Sequence, residues 1–93
     1  MSAKLTPKFP LGQLVATPNA QAHITPADIG IALLRHVTGD WGDLDAKDKQ
    51  VNDQAVTEGA RILSAYQAAN GTKFWIITEG NRSVTTVLLP EDY

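Results

Sequence analysis

The chain has 93 residues, no cysteine, and eight basic against ten acidic side chains, for a formal charge of −2. That length supports one hydrophobic core and excludes a large α/β enzyme fold. The absent thiols exclude disulfide staples, thiolate zinc sites and a cysteine nucleophile, and the acidic balance argues against non-specific nucleic-acid binding, which needs a basic surface.

No apolar run approaches the roughly 20 residues that span a bilayer. The opening stretch MSAKLTPKFPLG has two lysines but no apolar segment of the secretory kind. The expected compartment is therefore the cytoplasm. Residues 1–10, with two prolines and little periodicity, read as a flexible arm ahead of a domain spanning 11–93.

Leu11–Thr17 predicts a short strand, closed by Thr17-Pro18-Asn19. Ala20–Ile24 fits a helical turn as well as a loop. Thr25-Pro26-Ala27-Asp28 is a helix start: a capping hydroxyl, a proline at the first position and an acid at the positive end of the dipole. Ile29, Leu33, His36 and Val37 share one face of this helix, which ends at Thr38-Gly39. Asp45 caps a second helix, whose apolar stripe includes Val51, Ala55 and Val56. Asn52 lies within that stripe and needs partners if buried. Gly59, in the same stripe, suggests a close approach to another element.

The remainder predicts a three-stranded meander: Ile62–Gln67, Thr72–Glu79 and Ser83–Leu89. Asn70-Gly71 and Gly80-Asn81 supply the turns, and Pro90 ends the last strand. In the middle strand Phe74 and Ile76 point to one face, Trp75 and Ile77 to the other. Val84 and Leu88 alternate with Val87 and Leu89 in the same manner. A sheet wet on one side alternates apolar with polar residues, so this one is expected to be covered on both faces. Two short helices cover one. The second face calls for the N-terminal arm, a helix of its own, or another subunit.

The segments LGQLVATP, RHVTGDWGDLD, EGARILSAY and NGTKFWIITEGNRSVTTVLLPEDY resemble a group of small plasmid- and phage-borne bacterial proteins. The likeness runs from Leu11 to the C-terminus and carries GDWG, KxWIITE and TTxLLPE(D/E)Y. Some members of that group carry a type I restriction-modification label. The chain has neither the glycine-rich cofactor loop nor the Asn-Pro-Pro-aromatic motif of a methyltransferase. The resemblance implies a mobile-element accessory protein and supplies no functional residues.

Five aspartates between positions 40 and 53 form an acidic loop around Trp41. Carboxylates suit hard cations, but the spacing is not that of an EF-hand, and Asp45 and Asp48 already serve as helix cap and first-turn acid. Asp40, Trp41 and Asp43 are instead candidates for docking a partner, Trp41 either as an exposed anchor or as a plug at the helix corner. His36 reads as a satisfied core histidine rather than a general base, and His23 is too remote to join it at a metal. Glu79 and Arg82 crown the second hairpin, either pairing with each other or gripping an anion. Tyr93 is either a frayed end or a cover for the sheet.

The predicted fold is α+β, in the order β-α-α-β-β-β. Its antiparallel sheet is made of the C-terminal meander plus the N-terminal strand and is packed by two helices. The expected core is Leu33, Val37, Val51, Ala55, Ile62, Phe74, Ile76, Val84 and Leu88. The reading favours a non-catalytic interaction protein of a bacterial mobile element, with inhibition of host restriction or defence as its concrete form. It would hold a protein partner through Asp40, Trp41, Asp43, Glu79, Arg82 or Tyr93, or pair with its own copy through Trp75, Ile77, Val87 and Leu89. Neither cofactor nor metal is expected. Two other readings stand beside it. The element order is similar to small ribonuclease toxins of the RelE/ParE kind, which would place chemistry on Arg82 and His36. A weak nucleic-acid-binding protein would need Lys4, Lys8, Lys73 and Arg82 to cluster.

Overall fold

The computed structural model describes residues 6–93. The fold is α+β, with elements in the order β1 (Gln13–Ala16), α1 (Pro18–His23), α2 (Pro26–Val37), α3 (Ala46–Glu58), β2 (Ile62–Gln67), β3 (Lys73–Thr78) and β4 (Val84–Leu88), followed by a 3₁₀ turn at Pro90–Asp92. Local chemistry starts each helix. The hydroxyls of Thr17 and Thr25 accept from the amides of Ala20 and Asp28, with proline opening both helices. The Asp45 carboxylate accepts from the Asp48 amide to open α3. Gly59 closes α3 in the left-handed conformation as its cap, and the close approach expected there is present too, since a Cβ on Gly80 would fall 2.9 Å from the Gly59 carbonyl oxygen.

The four strands form one sheet in the order β1-β4-β3-β2. The meander β2-β3-β4 is antiparallel as expected. β1 departs from expectation, because it joins β4 in parallel, with Gln13 opposite Val84 and Ala16 opposite Val87. A parallel partner must be reached by a long crossover, here the three helices and two further strands. Gly12 allows the junction: at φ 64° it passes so close to the Arg82 and Ser83 carbonyls that a Cβ would collide with both.

Register assigns the faces. Trp75 pairs with Leu88 and Ile76 with Val87. Ile62, Ser64, Tyr66, Phe74, Ile76, Thr78, Thr85 and Val87 thus lie on one face, towards the helices. Ala20, Ile24 and Ala32 pack there on Tyr66, Phe74, Ile76, Val87 and Leu89. Phe9, Val37, Trp41, Ala55 and Ile62 form a second cluster. Burying side chains of this size is worth roughly 1.5–3 kcal/mol each.

Several expectations are corrected here. Val84 and Leu88 lie on the face opposite Phe74, while Val87 and Leu89 join it. Val51 is 53% exposed, because α3 turns Asn52 and Ala55 inwards instead. Within the expected arm, Lys8 and Phe9 are tied to the body: Phe9 is buried, and the Lys8 amide donates to the Val37 carbonyl at 2.8 Å. Residues 1–5 of the predicted arm lie outside the described residues.

The far edge of the sheet, along β2, is closed three times. The Ala65 amide donates to the Trp41 carbonyl, the Asp43 amide donates to the Ala65 carbonyl, and the Asn52 side chain holds both the amide and the carbonyl of Leu63. Gly42, at φ 78°, makes this approach feasible. A Cβ there would fall on the Ala65 carbonyl and the Tyr66 ring.

Candidate functional site

Most of the polar residues singled out in the sequence hold the fold together. Asp40 forms an ion pair with Arg35 at 2.7 Å and accepts from the Gly42 amide, and Arg35 keeps its carboxyl below the usual carboxylate range. Trp41 is buried rather than displayed. Its ring stacks near Phe9 with centroids 6.2 Å apart, and its indole N–H donates to Asp53 at 2.9 Å. Asp43 stays exposed.

Glu79 pairs with Arg61 at 3.6 Å, not with Arg82. Arg82 takes φ 60° and donates to the carbonyls of Ala55, Ala60 and Glu79. It therefore ties the end of α3 to the β3–β4 turn, with its guanidinium over the Phe9 ring at 5.4 Å. A guanidinium committed to three carbonyls is a clamp, not an anion grip.

His36 is fully buried between Ser64 and Thr78, at 2.6 Å from Nδ1 and 2.9 Å from Nε2. Thr78 Oγ meets Thr85 Oγ, and Thr85 donates to the Leu11 carbonyl. A carbonyl only accepts, which fixes the direction of every bond back along the chain. Thr85 spends its proton on Leu11, Thr78 spends its own on Thr85, and Nε2–H therefore donates to Thr78. Nδ1 is left as the acceptor for Ser64. Burial, helped by the positive charge of Arg82, holds His36 down at about 4, so the ring is neutral at pH 7. Ser64 and His36 are both fully buried, which keeps this pair out of reach of substrate. Among the described residues no group of three or more histidine, aspartate or glutamate side chains could hold a metal ion.

The four residues expected to form an apolar second face do not share one. Trp75 and Ile77 lie on it; Val87 and Leu89 belong to the helix side, and Ile77, Val87 and Leu89 are all buried within the single chain. The cover comes from the C-terminus. Tyr93 meets Trp75 edge-on at 5.6 Å, and its hydroxyl accepts from Arg61 at 2.8 Å. Asp92 accepts from Thr17 Oγ, Asn19 Nδ2 and the Leu89 amide, which together hold its carboxyl below the usual range.

That cover is partial. A hollow of about 360 Å³ opens on this face, and two more, of about 280 and 630 Å³, adjoin it where the back of the sheet meets the β2 edge, the smaller of them beside α3. The first two share Arg61 and the last two share Leu44. Their apolar floor includes Leu44, Leu63, Trp75 and Leu88; Asp43, Asp48, Arg61 and Lys73 stand around them. Sequence reasoning placed Trp75, Asp43 and Tyr93 in contact with a partner and missed Leu44, Leu63 and Arg61. A lone leucine within an acidic loop was the available signal for the first.

Lys73 begins β3 and Arg82 lies beyond its other end, so these two do not cluster; Lys4 lies outside the described residues. No helix among the described residues is long and apolar enough to cross a membrane. The geometry defines an α+β domain with a buried polar chain and an open, mixed-charge hollow on the back of its sheet. No model of a known protein family, no curated protein and no solved structure matches the chain.

Proposed function

We propose that this chain is a non-catalytic interaction protein that seats a partner protein in the hollow on the back of its sheet. The observation that supports the reading is a pair of adjoining solvent-open hollows that share Leu44, one floored by Leu63 and the other by Trp75, and bordered by charges of both signs. Apolar floors with polar rims are the anatomy of protein interfaces. The resemblance to small plasmid- and phage-borne proteins favours a host protein as partner, with a restriction or defence component as the concrete version.

The test is the plating of unmodified phage on a restricting host. Wild-type protein is expected to raise plating efficiency by at least about tenfold. Leu44→Arg combined with Trp75→Ala is expected to abolish the effect without loss of fold. Unchanged plating with soluble wild-type protein refutes the anti-restriction version. Full activity in the double variant refutes the assignment of the hollow.

A further inference from the structure

The two edges of the sheet are treated in opposite ways. β2 is closed by Trp41, Asp43 and Asn52. β1 is left open. In its parallel ladder alternate residues bond to β4: the Gln13 amide donates to Ser83 and the Thr17 amide to Val87, which places Val15 in the same set. Leu14 and Ala16 therefore direct their backbone groups outwards. The Ala16 carbonyl accepts from the Gln21 side chain. Among the described residues, Leu14 alone in β1 keeps both its amide and its carbonyl without a partner.

Natural edge strands are protected by being very short or by lysine, proline, bulges or a covering loop, and of these β1, at four residues, has only its shortness. Gln13–Ala16 reads QLVA and has neither charge nor proline, and Leu14 and Val15 are 52% and 38% exposed. Such an edge recognises an extended backbone.

We infer that β1 pairs antiparallel with β1 of a second copy about a two-fold axis at Leu14, making one eight-stranded sheet. The open groups select this occupant. A two-fold hydrogen-bonded pair requires a residue on the axis that offers donor and acceptor to its own image, and Leu14 is that residue. Its amide would donate to the mate's Leu14 carbonyl and accept the reciprocal bond. The two Leu14 side chains then meet on one face, removing apolar surface from water. Because residues 11–17 carry no charge, identical strands meet without like-charge repulsion. This pairing is independent of the partner-binding hollow, which lies on the back of the sheet.

Sedimentation equilibrium or light scattering over a concentration series tests it. The wild-type mass is expected to rise from 10.0 kDa towards twice that value, with the Leu14 amide exchanging more slowly as the dimer forms. Leu14→Pro removes the outward N–H but no bond to β4, and is expected to remain folded and monomeric. Leu14→Lys changes an exposed side chain and sets two positive charges across the axis. It should weaken the dimer about tenfold or more, with partial recovery in salt. Since Leu14→Lys keeps the strand backbone intact, it decides the matter even if the proline variant misfolds. Wild-type protein that stays monomeric throughout, or a Leu14→Lys variant that dimerises like wild type, overturns the proposal.

Discussion

At the scale of single residues, the fold spends its most chemically capable side chains on its interior. His36 and Ser64 lie within 2.6 Å of each other, a spacing that in an open cleft would suggest a nucleophile and its base. Here both are sealed under Phe9 and Trp41, whose rings flank the imidazole at 5.3 and 5.9 Å. The consequence is a pH dependence of stability. In the unfolded chain His36 takes up a proton near its ordinary value of 6.5, whereas in the folded chain it resists until about 4. Below pH 6.5 the unfolded state thus binds more protons. Stability is full above that pH and declines as pH falls from 6.5 towards 4, by up to about 3 kcal/mol. Asp40 and Asp92, whose carboxyls are lowered from 3.8, act only at still lower pH. Urea unfolding at pH 7.5, 6 and 4.5 should record the decline in wild type. His36→Gln is expected to be less stable at pH 7.5 yet nearly flat across that interval; equal slopes in the two proteins would show that the histidine is not the source.

At the scale of elements, what the sequence made legible was whatever is encoded within a few residues. Thr25-Pro26 and Asp45 announce their helices, and Asn70-Gly71 its hairpin, because caps and turns are satisfied by neighbours in the chain. Partners far along the chain were not legible. The run VTTVLL carries apolar residues at both parities, so alternation alone could not assign its faces. That is decided by the register of Trp75 against Leu88. β1 looked like any short strand, and its parallel alignment depends on a crossover of some 70 residues. Trp41, set among aspartate and glycine, read equally as a plug or as an exposed anchor, and only Asp53, brought round on α3 to take its indole N–H, decides for the plug. Asn52 was read correctly as needing partners, and those partners turn out to be the backbone of β2. Its side-chain amide supplies one donor and one acceptor, as a neighbouring strand would. Asn52→Ala leaves the Leu63 amide and carbonyl unpaired under α3 and is expected to cost about 2–3 kcal/mol. Equilibrium unfolding measures the loss, and hydrogen exchange should locate the faster amide at Leu63. Asn52→Asp keeps the acceptor but loses the donor, so it should retain protection at the Leu63 amide better than alanine does.

At the scale of the whole molecule, the question raised by an apolar sheet in so short a chain is what covers its second face. Three helices take the first. Among the described residues, the cover on the back comes from the last residues of the chain, and Asp92 anchors them to Thr17 and Asn19 beyond β1. The clamp joins the C-terminus to the start of α1 and brings Tyr93 down between Trp75 and Arg61, though Tyr93 itself remains 66% exposed. A cover so thin leaves the hollows around it open, so the residues that shield the sheet also shape the proposed docking surface. Tyr93→Ala should expose Trp75 while leaving Trp41 in its buried cluster. Tryptophan emission is expected to shift to longer wavelength and become more accessible to acrylamide, and a Trp75→Phe background should abolish that change. The loss of the edge-on aromatic pair should lower stability by only about 0.5–1.5 kcal/mol. The same variant widens the hollow beside Arg61 without touching Leu44 or Leu63. If Tyr93 serves only as a cover, partner binding survives its removal; if the partner stacks on it, binding falls while the fold persists. Emission and binding measured on one variant therefore separate the role of the C-terminus in completing the fold from its role in recognition.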